Sequence, residues 1–351
     1  MKIDLPALSL ALQRASLGIR RTEDPSSGAV LLSASSGSLR ASMVADHRLS
    51  VATCPCEGDL EVAVEADRLK KLLEACADPV AELVPKDDDL TFRVGGVKAK
   101  LRGYDRQRLP RHTAPSLAQR LSLSAELVDR IRYIEKLTRD RVDHNSKPYE
   151  KVILLELKDG IATLFGALRG TMASWYEGPW NPEDAFFVGI NRQLAALMSP
   201  GPQDLVWSDN QIGFETGDFA VYESKVETDG HPLPSHRKIL AGLPGNGSGF
   251  GSKELVAAIN GAMSVYSVEG LDRPIRLKAS GTALEVIWQS HAGDFVSEIE
   301  LIGEASFEGK FNADLLTKIV TGLKAPILAM KDMTLWIWEG STKIALQGMR
   351  L

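Results

Sequence analysis

Two stretches of the chain have the residue types of a phosphate loop or a metal site. Residues 245–253 are Gly-rich and end in Ser252-Lys253, but they match neither GxGxxG nor GxxxxGK[ST] and follow no buried parallel strand. They are more typical of a linker between domains. Cys54 and Cys56 stand one residue apart, and zinc would require a second ligand pair, which the sequence does not supply.

The histidine and aspartate clusters are equally incomplete as sites. His231 and His236 flank a Pro-containing turn with no carboxylate at ligand spacing, and residues 87–89 are three Asp between two predicted strands, where a solvated turn is expected. No Ser, Cys or His is placed as a nucleophile beside a base. We therefore expect no catalytic residue, no metal and no cofactor, so function must reside in the surfaces of the fold.

Composition and charge limit the class of protein. The chain has 351 residues, of which 44% are hydrophobic and 25% are charged, so disorder is excluded and two or three domains are expected. Its 41 Lys and Arg against 46 Asp and Glu give a net charge of -5. This balance excludes a protein that binds nucleic acid with its whole surface, and any such partner would need a local basic region.

The cysteine count and the first residues indicate a compartment. Three cysteines cannot form a disulfide framework, which is typical of a reducing environment. Asp4 and Pro6 interrupt the apolar run that a signal peptide would need, and no stretch approaches the roughly 18 apolar residues of a membrane span. We expect a soluble cytoplasmic protein with no membrane partner.

A threefold internal repeat organises the chain. Hairpin patterns of alternating apolar residues around a small turn recur at Leu32, Leu155 and Leu277, which are 123 and 122 positions apart. A helical pattern with apolar residues four apart precedes each hairpin and another follows it. The preceding pairs are Leu8 and Leu12, Leu127 and Ile131, and Leu255 and Ile259; the following pairs are Leu69 and Leu73, Leu194 and Met198, and Leu315 and Ile319.

Each unit therefore reads as a helix, a hairpin, a strand, a second helix and a closing hairpin. Asn191 and Asn312 are candidate N-caps of the second helix in the second and third units. In the first unit, Asp67 lies close to the start of the second helix and is the candidate there. The Pro-containing turn 110–117 and the Gly-rich run 242–251 separate three α+β domains, predicted as 1–115, 116–241 and 242–351. The alternative is one large irregular α+β domain with a coincidental period.

Three groups of residues resemble the bacterial β sliding clamp, the processivity factor of the chromosomal replicase (DNA polymerase III beta subunit). The first is the helix Leu69-Lys70-Lys71-Leu72-Leu73 with the strand Leu90–Val94 and Leu109-Pro110 after it. The second is Asp229-Gly230 with Pro234 and Arg237-Lys238-Ile239-Leu240, similar to the family's Gly-x-x-Pro-x-x-Arg-Arg-Val. The third is the ending Gly348-Met349-Arg350-Leu351, with Phe311-Asn312 before the last helix.

The resemblance implies an architecture and a function. Two three-domain chains would close head to tail into a homodimeric ring of six similar domains, with helices lining the pore and sheets outside. Such a ring encircles double-stranded DNA without reading its sequence and tethers DNA polymerase and the clamp loader through short linear motifs. It has no catalytic step of its own.

A DNA channel predicts basic helices, because phosphates are met by Lys and Arg. The windows 6–21, 65–77, 124–141, 190–199, 252–266 and 310–325 together carry +7, which leaves -12 for the rest of a chain with net charge -5. The competing explanation is that surface helices are generally rich in cations. The expected DNA-facing residues are Arg14, Arg20, Arg21, Arg68, Lys70, Lys71, Arg130, Arg132, Lys136, Arg139, Arg192, Lys253, Lys318 and Lys324.

The resemblance also implies an apolar groove for partner peptides between the second and third domains. Its residues would be Ala167, Gly170, Thr171, Met172, Pro234, Lys238, Ile239, Asn312, Leu315, Leu346, Gly348, Met349, Arg350 and Leu351. Methionine side chains are flexible and can adapt to the shape of a bound peptide, which suits such a site. The chain departs from the family in 166–172, at Gln347-Gly348 where the family has Met-Pro, and at Glu150, where an apolar residue is expected.

Two alternatives belong to other classes of function. A clamp-like paralogue would bind partners without encircling DNA, and a three-domain α+β enzyme would have a deep pocket with a perturbed titratable pair.

If the ring forms, exposed strand edges in the first and third domains must pair between chains. We expect these edges near residues 73–84 and 275–279.

Overall fold

The apolar periodicities of the sequence correspond to helices and strands in the computed structural model of the chain. The structure describes residues 1–19, 25–45, 47–109, 114, 118–139, 145–168, 171–180, 186–226, 234–264, 273–290 and 293–349. Contacts divide the chain into two compact units. Unit 1 is Met1–Asp129 with Gln193–Lys225, and unit 2 is Arg130–Arg192 with Val226–Leu351.

The first repeat has a short strand, a helix, four strands, a second helix and three strands. These are β1 (Lys2–Asp4), α1 (Leu5–Ala15), β2 (Ala29–Ser35), β3 (Ser38–Ala45), β4 (Arg48–Pro55), β5 (Leu60–Glu65), α2 (Ala66–Glu74), β6 (Val80–Lys86), β7 (Asp89–Val94) and β8 (Val97–Leu101). Asp4 caps α1 by accepting a 2.9 Å hydrogen bond from the Ala7 amide. The predicted cap of α2 was wrong, because Asp67 lies inside its first turn and Glu65 holds the N-cap position.

The second repeat has the same order. Its elements are β9 (Gln119–Leu123), α3 (Ala125–Thr138), β10 (Val152–Lys158), β11 (Ile161–Leu168), β12 (Met172–Pro179), β13 (Phe186–Asn191), α4 (Arg192–Ala195), β14 (Gln203–Trp207), β15 (Gln211–Thr216) and β16 (Phe219–Ser224), with α5 (Pro234–Leu240) after them. The second helix is shorter than predicted. Leu194 and Met198 are both buried, so core packing accounts for their spacing although α4 has only four residues.

The third repeat begins inside the Gly-rich stretch. Its elements are β17 (Ser248–Phe250), α6 (Ser252–Ser264), β18 (Pro274–Ser290), β19 (Gly293–Asn312), α7 (Ala313–Thr321), β20 (Ile327–Lys331), β21 (Thr334–Glu339) and β22 (Thr342–Gln347). The linker predicted at 245–253 was therefore wrong in part, because β17 pairs with β19 and β20. Asn312 caps α7 as predicted, since its side chain accepts a 3.0 Å hydrogen bond from the Leu315 amide.

Two long strands of the third repeat contain the hairpin that the sequence predicts. Lys278 Nζ lies 3.4 Å from Glu285 Oε2, although seven residues of extended strand would separate them by about 23 Å. The chain must therefore fold back between them. Gly281 has φ +62° there, a conformation that glycine adopts without steric cost, and the pairing with β19 shifts register beside it.

In unit 1, one sheet joins the first and second repeats. Its order is β5-β2-β3-β4-β16-β15-β14-β9, and a separate sheet has the order β1-β6-β7-β8. At the junction Arg48 of β4 faces Glu223 of β16, and their Nη2 and Oε2 atoms lie 2.6 Å apart. Both side chains are largely buried, so this ion pair stands where the backbone pairing of the two repeats begins.

In unit 2, a ten-stranded sheet joins the second and third repeats in the order β13-β10-β11-β12-β22-β21-β20-β17-β19-β18. The junction is β12 with β22, where Met172 lies opposite Leu346 and Tyr176 opposite Thr342. The second repeat thus contributes strands to both units. The boundaries at 115 and 241 remain predictions.

The strand edges expected near 73–84 and 275–279 were wrong. β6 lies between β1 and β7, and residues 275–279 pair with residues 307–311 of β19. Residues 275–279 also have a second neighbour across the Gly281 turn, where Lys278 meets Glu285, so both segments have a strand on each side. The outermost strands of the four-stranded sheet are β1 and β8.

Unit 2 buries apolar side chains on both faces of its sheet. One face packs against α6 and α7 around Phe311, Leu316 and Ile319. The other face holds Trp175 and Trp336, whose rings stack with centroids 5.9 Å apart. Of the helices in the described residues, none has the length and apolar character that a membrane crossing requires.

Helix α1 offers a matched test of the unit 1 core, because Leu12 is 0% exposed and Leu10 is 46% exposed on the same helix. Leu12→Ala should lower the free energy of unfolding by about 2–5 kcal/mol, since it leaves a cavity. Leu10→Ala should change it by less than about 0.5 kcal/mol. Urea unfolding followed by circular dichroism measures both, and equal losses would contradict the packing described.

Candidate nucleic-acid interface and partner groove

The predicted DNA-facing residues of unit 1 lie on two neighbouring helices. Arg14, on α1, forms an ion pair with Asp218. On α2, Arg68 is exposed and pairs with Glu65 at 2.6 Å, Lys70 is half-buried and Lys71 is exposed. α1 packs against α2, so these cations belong to one layer. Arg20 and Arg21 lie outside the described residues.

In unit 2, α3 from Arg130 onwards forms a second basic layer with α6 and α7. The Tyr133 hydroxyl on α3 donates a 2.8 Å hydrogen bond to the Ile319 carbonyl on α7, and α7 packs against α6. Burial raises the pKa of Tyr133. This contact places the cations of the three helices on neighbouring elements.

The cations of this layer differ in exposure and in their partners. Arg130 lies 5.4 Å from the centre of the Tyr176 ring, and Arg139 pairs with the buried Glu135 at 2.6 Å. Arg132 and Lys318 are half-buried, whereas Lys136, Lys253 and Lys324 are exposed. The exposed lysines are thus best placed to meet a polyanion.

Arg192 was wrongly predicted to face DNA. It is 4% exposed, and its guanidinium donates to the Glu150 carbonyl, the Thr138 hydroxyl and the Ala167 carbonyl. Burial lowers its pKa to about 10, and the carboxylates of Glu135 and Glu150 act in the opposite direction. The side chain remains charged at neutral pH, but it lies in the interior.

Several residues predicted to line a partner groove are core residues. Met172 and Leu346 are opposite each other at the β12–β22 junction, and both are buried with Leu315 of α7. Ala167 is also buried, and Asn312 is occupied as the cap of α7. These side chains lie beneath the surface and contribute little exposed apolar area to it.

The remaining groove residues in the described part of the chain differ in exposure. Thr171 and Met349 are half-buried, and Ile239 is 46% exposed next to the exposed Lys238 on α5. Gly170, Arg350 and Leu351 lie outside the described residues. Pro234 begins α5.

Three backbone hydrogen bonds hold the segment 347–349. The Gln347 amide donates to the Thr171 carbonyl, the Gly348 amide to the Met333 carbonyl and the Met349 amide to the Lys310 carbonyl, each at 2.8 Å. A Cβ on Gly348 would lie 2.8 Å from the Met333 carbonyl oxygen, so glycine permits this close approach.

Met333 is a surface residue that sequence reasoning missed. It stands in the two-residue turn between β20 and β21 with φ +60°, beside Asp332 at φ +49°, and is 47% exposed. Turns of this kind favour Asn-Gly or Asp-Gly. An apolar side chain at such a turn between two alternating strands was the signal available in the sequence.

The clusters of possible ligands show structural roles. Burial raises the pKa of the Cys54 thiol to about 11, which disfavours the thiolate that zinc binds. Asp87 has φ +55° in the β6–β7 turn, and hydrogen bonds from Lys100 and Gly103 lower the pKa of Asp89. Within the described part of the chain, no group of three or more His, Cys, Asp or Glu could hold a metal ion. His231 lies outside that part.

Comparison with known proteins identifies the fold as the three-domain α+β clamp. Over 100% of its length the chain matches the DNA polymerase III subunit beta of Pseudomonas aeruginosa (TM-score 0.84, 18% identity, 100% of that chain covered). It also matches the beta subunits of Thermotoga maritima (0.82, 14%, 99%) and Streptococcus pyogenes (0.86, 13%, 99%). No protein-family model and no curated protein matches the chain. The chain therefore has the fold of the DNA polymerase III beta sliding clamps at low sequence identity, as the sequence predicted.

Proposed function

We propose that this chain is a DNA sliding clamp, which encircles duplex DNA as a head-to-tail homodimer and gives processivity to a DNA polymerase in the cytoplasm. The observation that carries the proposal is the match of the whole chain to DNA polymerase III beta subunits at TM-scores of 0.82 to 0.86. The protein would act by topology and tethering, without a catalytic step.

The exposed cations support a channel that does not read sequence. Lys71, Lys136, Lys253 and Lys324 belong to the two helical layers, and flexible ammonium groups meet phosphates as point charges. Arg14 and Arg68 are engaged in ion pairs, and Arg192 is buried. The proposed lining is therefore weakly basic, which favours sliding over tight binding.

Ring closure is supported by two strands with opposite charge. Lys98, Lys100 and Arg102 alternate along and just beyond β8, where all three are exposed. On β19, residues 294–302 alternate outward as Asp294, Val296, Glu298, Glu300 and Ile302, and Val296 and Ile302 are 60% and 80% exposed. We propose that β8 of one copy approaches this part of β19 in the other.

The partner surface supports the capture of short apolar motifs by DNA polymerase and the clamp loader. Ile239, Met333 and Met349 would supply its apolar contacts, and the fixed backbone of 347–349 would supply its edge. Methionine adapts to differently shaped partners. We therefore expect this surface to select different partner peptides from those that a groove lined by Met172 and Leu346 would bind.

Linearisation of a DNA circle tests the proposed function directly. The protein is allowed to thread onto linear duplex, the duplex is circularised by ligation, and bound protein is isolated at high salt. Protein should stay with the circle and leave once a restriction enzyme cuts it, whereas blocked DNA ends should retain it. Protein that stays on the cut, unblocked duplex would contradict a topological clamp, and protein that never associates would favour the clamp-like paralogue.

Neutralising the exposed lysines tests the lining. The variant Lys71→Ala, Lys136→Ala, Lys253→Ala should bind a duplex more weakly at low salt, because fewer counterions are released. The slope of log affinity against log salt, from fluorescence anisotropy, should become shallower. Lys158→Ala removes an exposed cation at the end of β10 and should leave the slope unchanged; equal effects of both variants would remove these lysines from the role.

A charge exchange tests the proposed ring interface. Lys98→Glu with Arg102→Glu makes both edges acidic, and Glu298→Lys with Glu300→Lys makes both basic, so each double variant alone should sediment as a monomer. Mixed together, they should form a heterodimer in which both interfaces are complementary. The wild-type protein should sediment near twice 38.2 kDa. Homodimers of either variant as stable as wild type would exclude these edges.

A further inference from the structure

The buried guanidinium of Arg192 connects three segments that are distant in sequence. Its acceptors are the Thr138 hydroxyl at the end of α3, the Glu150 carbonyl before β10 and the Ala167 carbonyl near the end of β11. The Arg192 amide also donates a 2.9 Å hydrogen bond to the Lys151 carbonyl. The guanidinium of Arg has five N–H donors in one plane and can satisfy several acceptors at once. The ammonium of Lys has all its donors on one nitrogen atom.

The space around the guanidinium is matched to it. A Cβ on Gly166 would clash with Ile134 and lie 3.2 Å from Arg192 Nη2, so the neighbouring glycine makes room for both side chains. Glu135 and Glu150 are buried nearby and compensate the charge. An Arg without these partners would be strongly unfavourable in the interior.

One of the three acceptors, the Ala167 carbonyl, belongs to a segment that is connected to the partner surface. Ala167 is followed by the β11–β12 turn, in which the Thr171 amide donates a 3.1 Å hydrogen bond to the Leu168 carbonyl. The Thr171 carbonyl in turn accepts from the Gln347 amide and so fixes the start of the segment 347–349. A continuous series of contacts thus leads from Arg192 to the surface residues.

We propose that Arg192 is a positioning residue, which holds the end of β11 and, through Leu168 and Thr171, the segment 347–349 in the conformation that receives partner peptides. The second part rests on the proposed function, and the first part does not. Arg192 touches no partner itself. Its effect passes through the Ala167 and Thr171 carbonyls, so its loss should loosen the surface without removing any contacting side chain.

Amide exchange and peptide titration of Arg192→Lys test the proposal. The Thr171 and Gln347 amides should exchange at least about tenfold faster than in wild type, because Lys keeps the charge but cannot reach all three acceptors. The affinity for a Gln-x-x-Leu-Phe peptide, the type of motif that the resemblance to β sliding clamps implies, should fall about tenfold, while binding to duplex DNA should stay unchanged. Thr138→Val removes one acceptor and should give smaller changes in the same direction, which keeps the test open if Arg192→Lys folds poorly.

The control is Arg93→Lys, which alters an exposed ion pair with Glu82 in unit 1 and should affect neither readout. Wild-type exchange at Thr171 and Gln347 in both Arg192→Lys and Thr138→Val would overturn the proposal, and so would faster exchange with full peptide affinity. If the wild-type protein binds no such peptide, the proposed partner function fails for that motif. The exchange rates then decide alone whether Arg192 holds the segment.

Discussion

Backbone pairing between repeats is the constraint on which the rest of the chain depends. A sheet built from one repeat would end in strands with unpaired amide and carbonyl groups, which invite association with other chains. In unit 1, β4 pairs with β16, and in unit 2, β12 pairs with β22, so neighbouring repeats satisfy each other's outer strands. One end of the four-stranded sheet is β8, a basic strand with the exposed Lys98 and Lys100, and the contact proposed for it is the acidic stretch 294–300 of β19 in a second copy.

Arginine has two different roles in this chain, and net charge does not separate them. Arg48 lies at the β4–β16 junction, where it donates to Glu223 and the Gly18 carbonyl, and Arg192 donates to two carbonyls and one hydroxyl from three segments. Both are largely buried and fix the relative positions of elements within one unit. The net charge of a helical window therefore overstates the positive charge that a polyanion could reach. The exposed lysines are the better measure of the charge of the proposed lining.

Periodicity predicted the fold, because burial depends on the spacing of apolar residues more than on their identity. The hairpins around Leu32 and Leu155 and the cap Asn312 are found where the sequence placed them. Exposure could not be predicted in the same way. Met172 and Leu346 become core residues because two distant strands pair, and Arg192 is buried because its three acceptors come from separate segments. Such contacts leave no local pattern in the sequence.

The same reasoning explains why the clamp fold persists at 13 to 18% identity. The fold constrains a pattern of buried positions and strand pairings, which many sequences satisfy, whereas partner recognition depends on particular exposed side chains. In this chain Gly348 allows the backbone of the segment 347–349 to approach the turn that exposes Met333. A residue with a side chain at position 348 would introduce a Cβ 2.8 Å from the Met333 carbonyl oxygen. The turn and the segment 347–349 therefore have to change together, and the proposed partner surface is coupled to both.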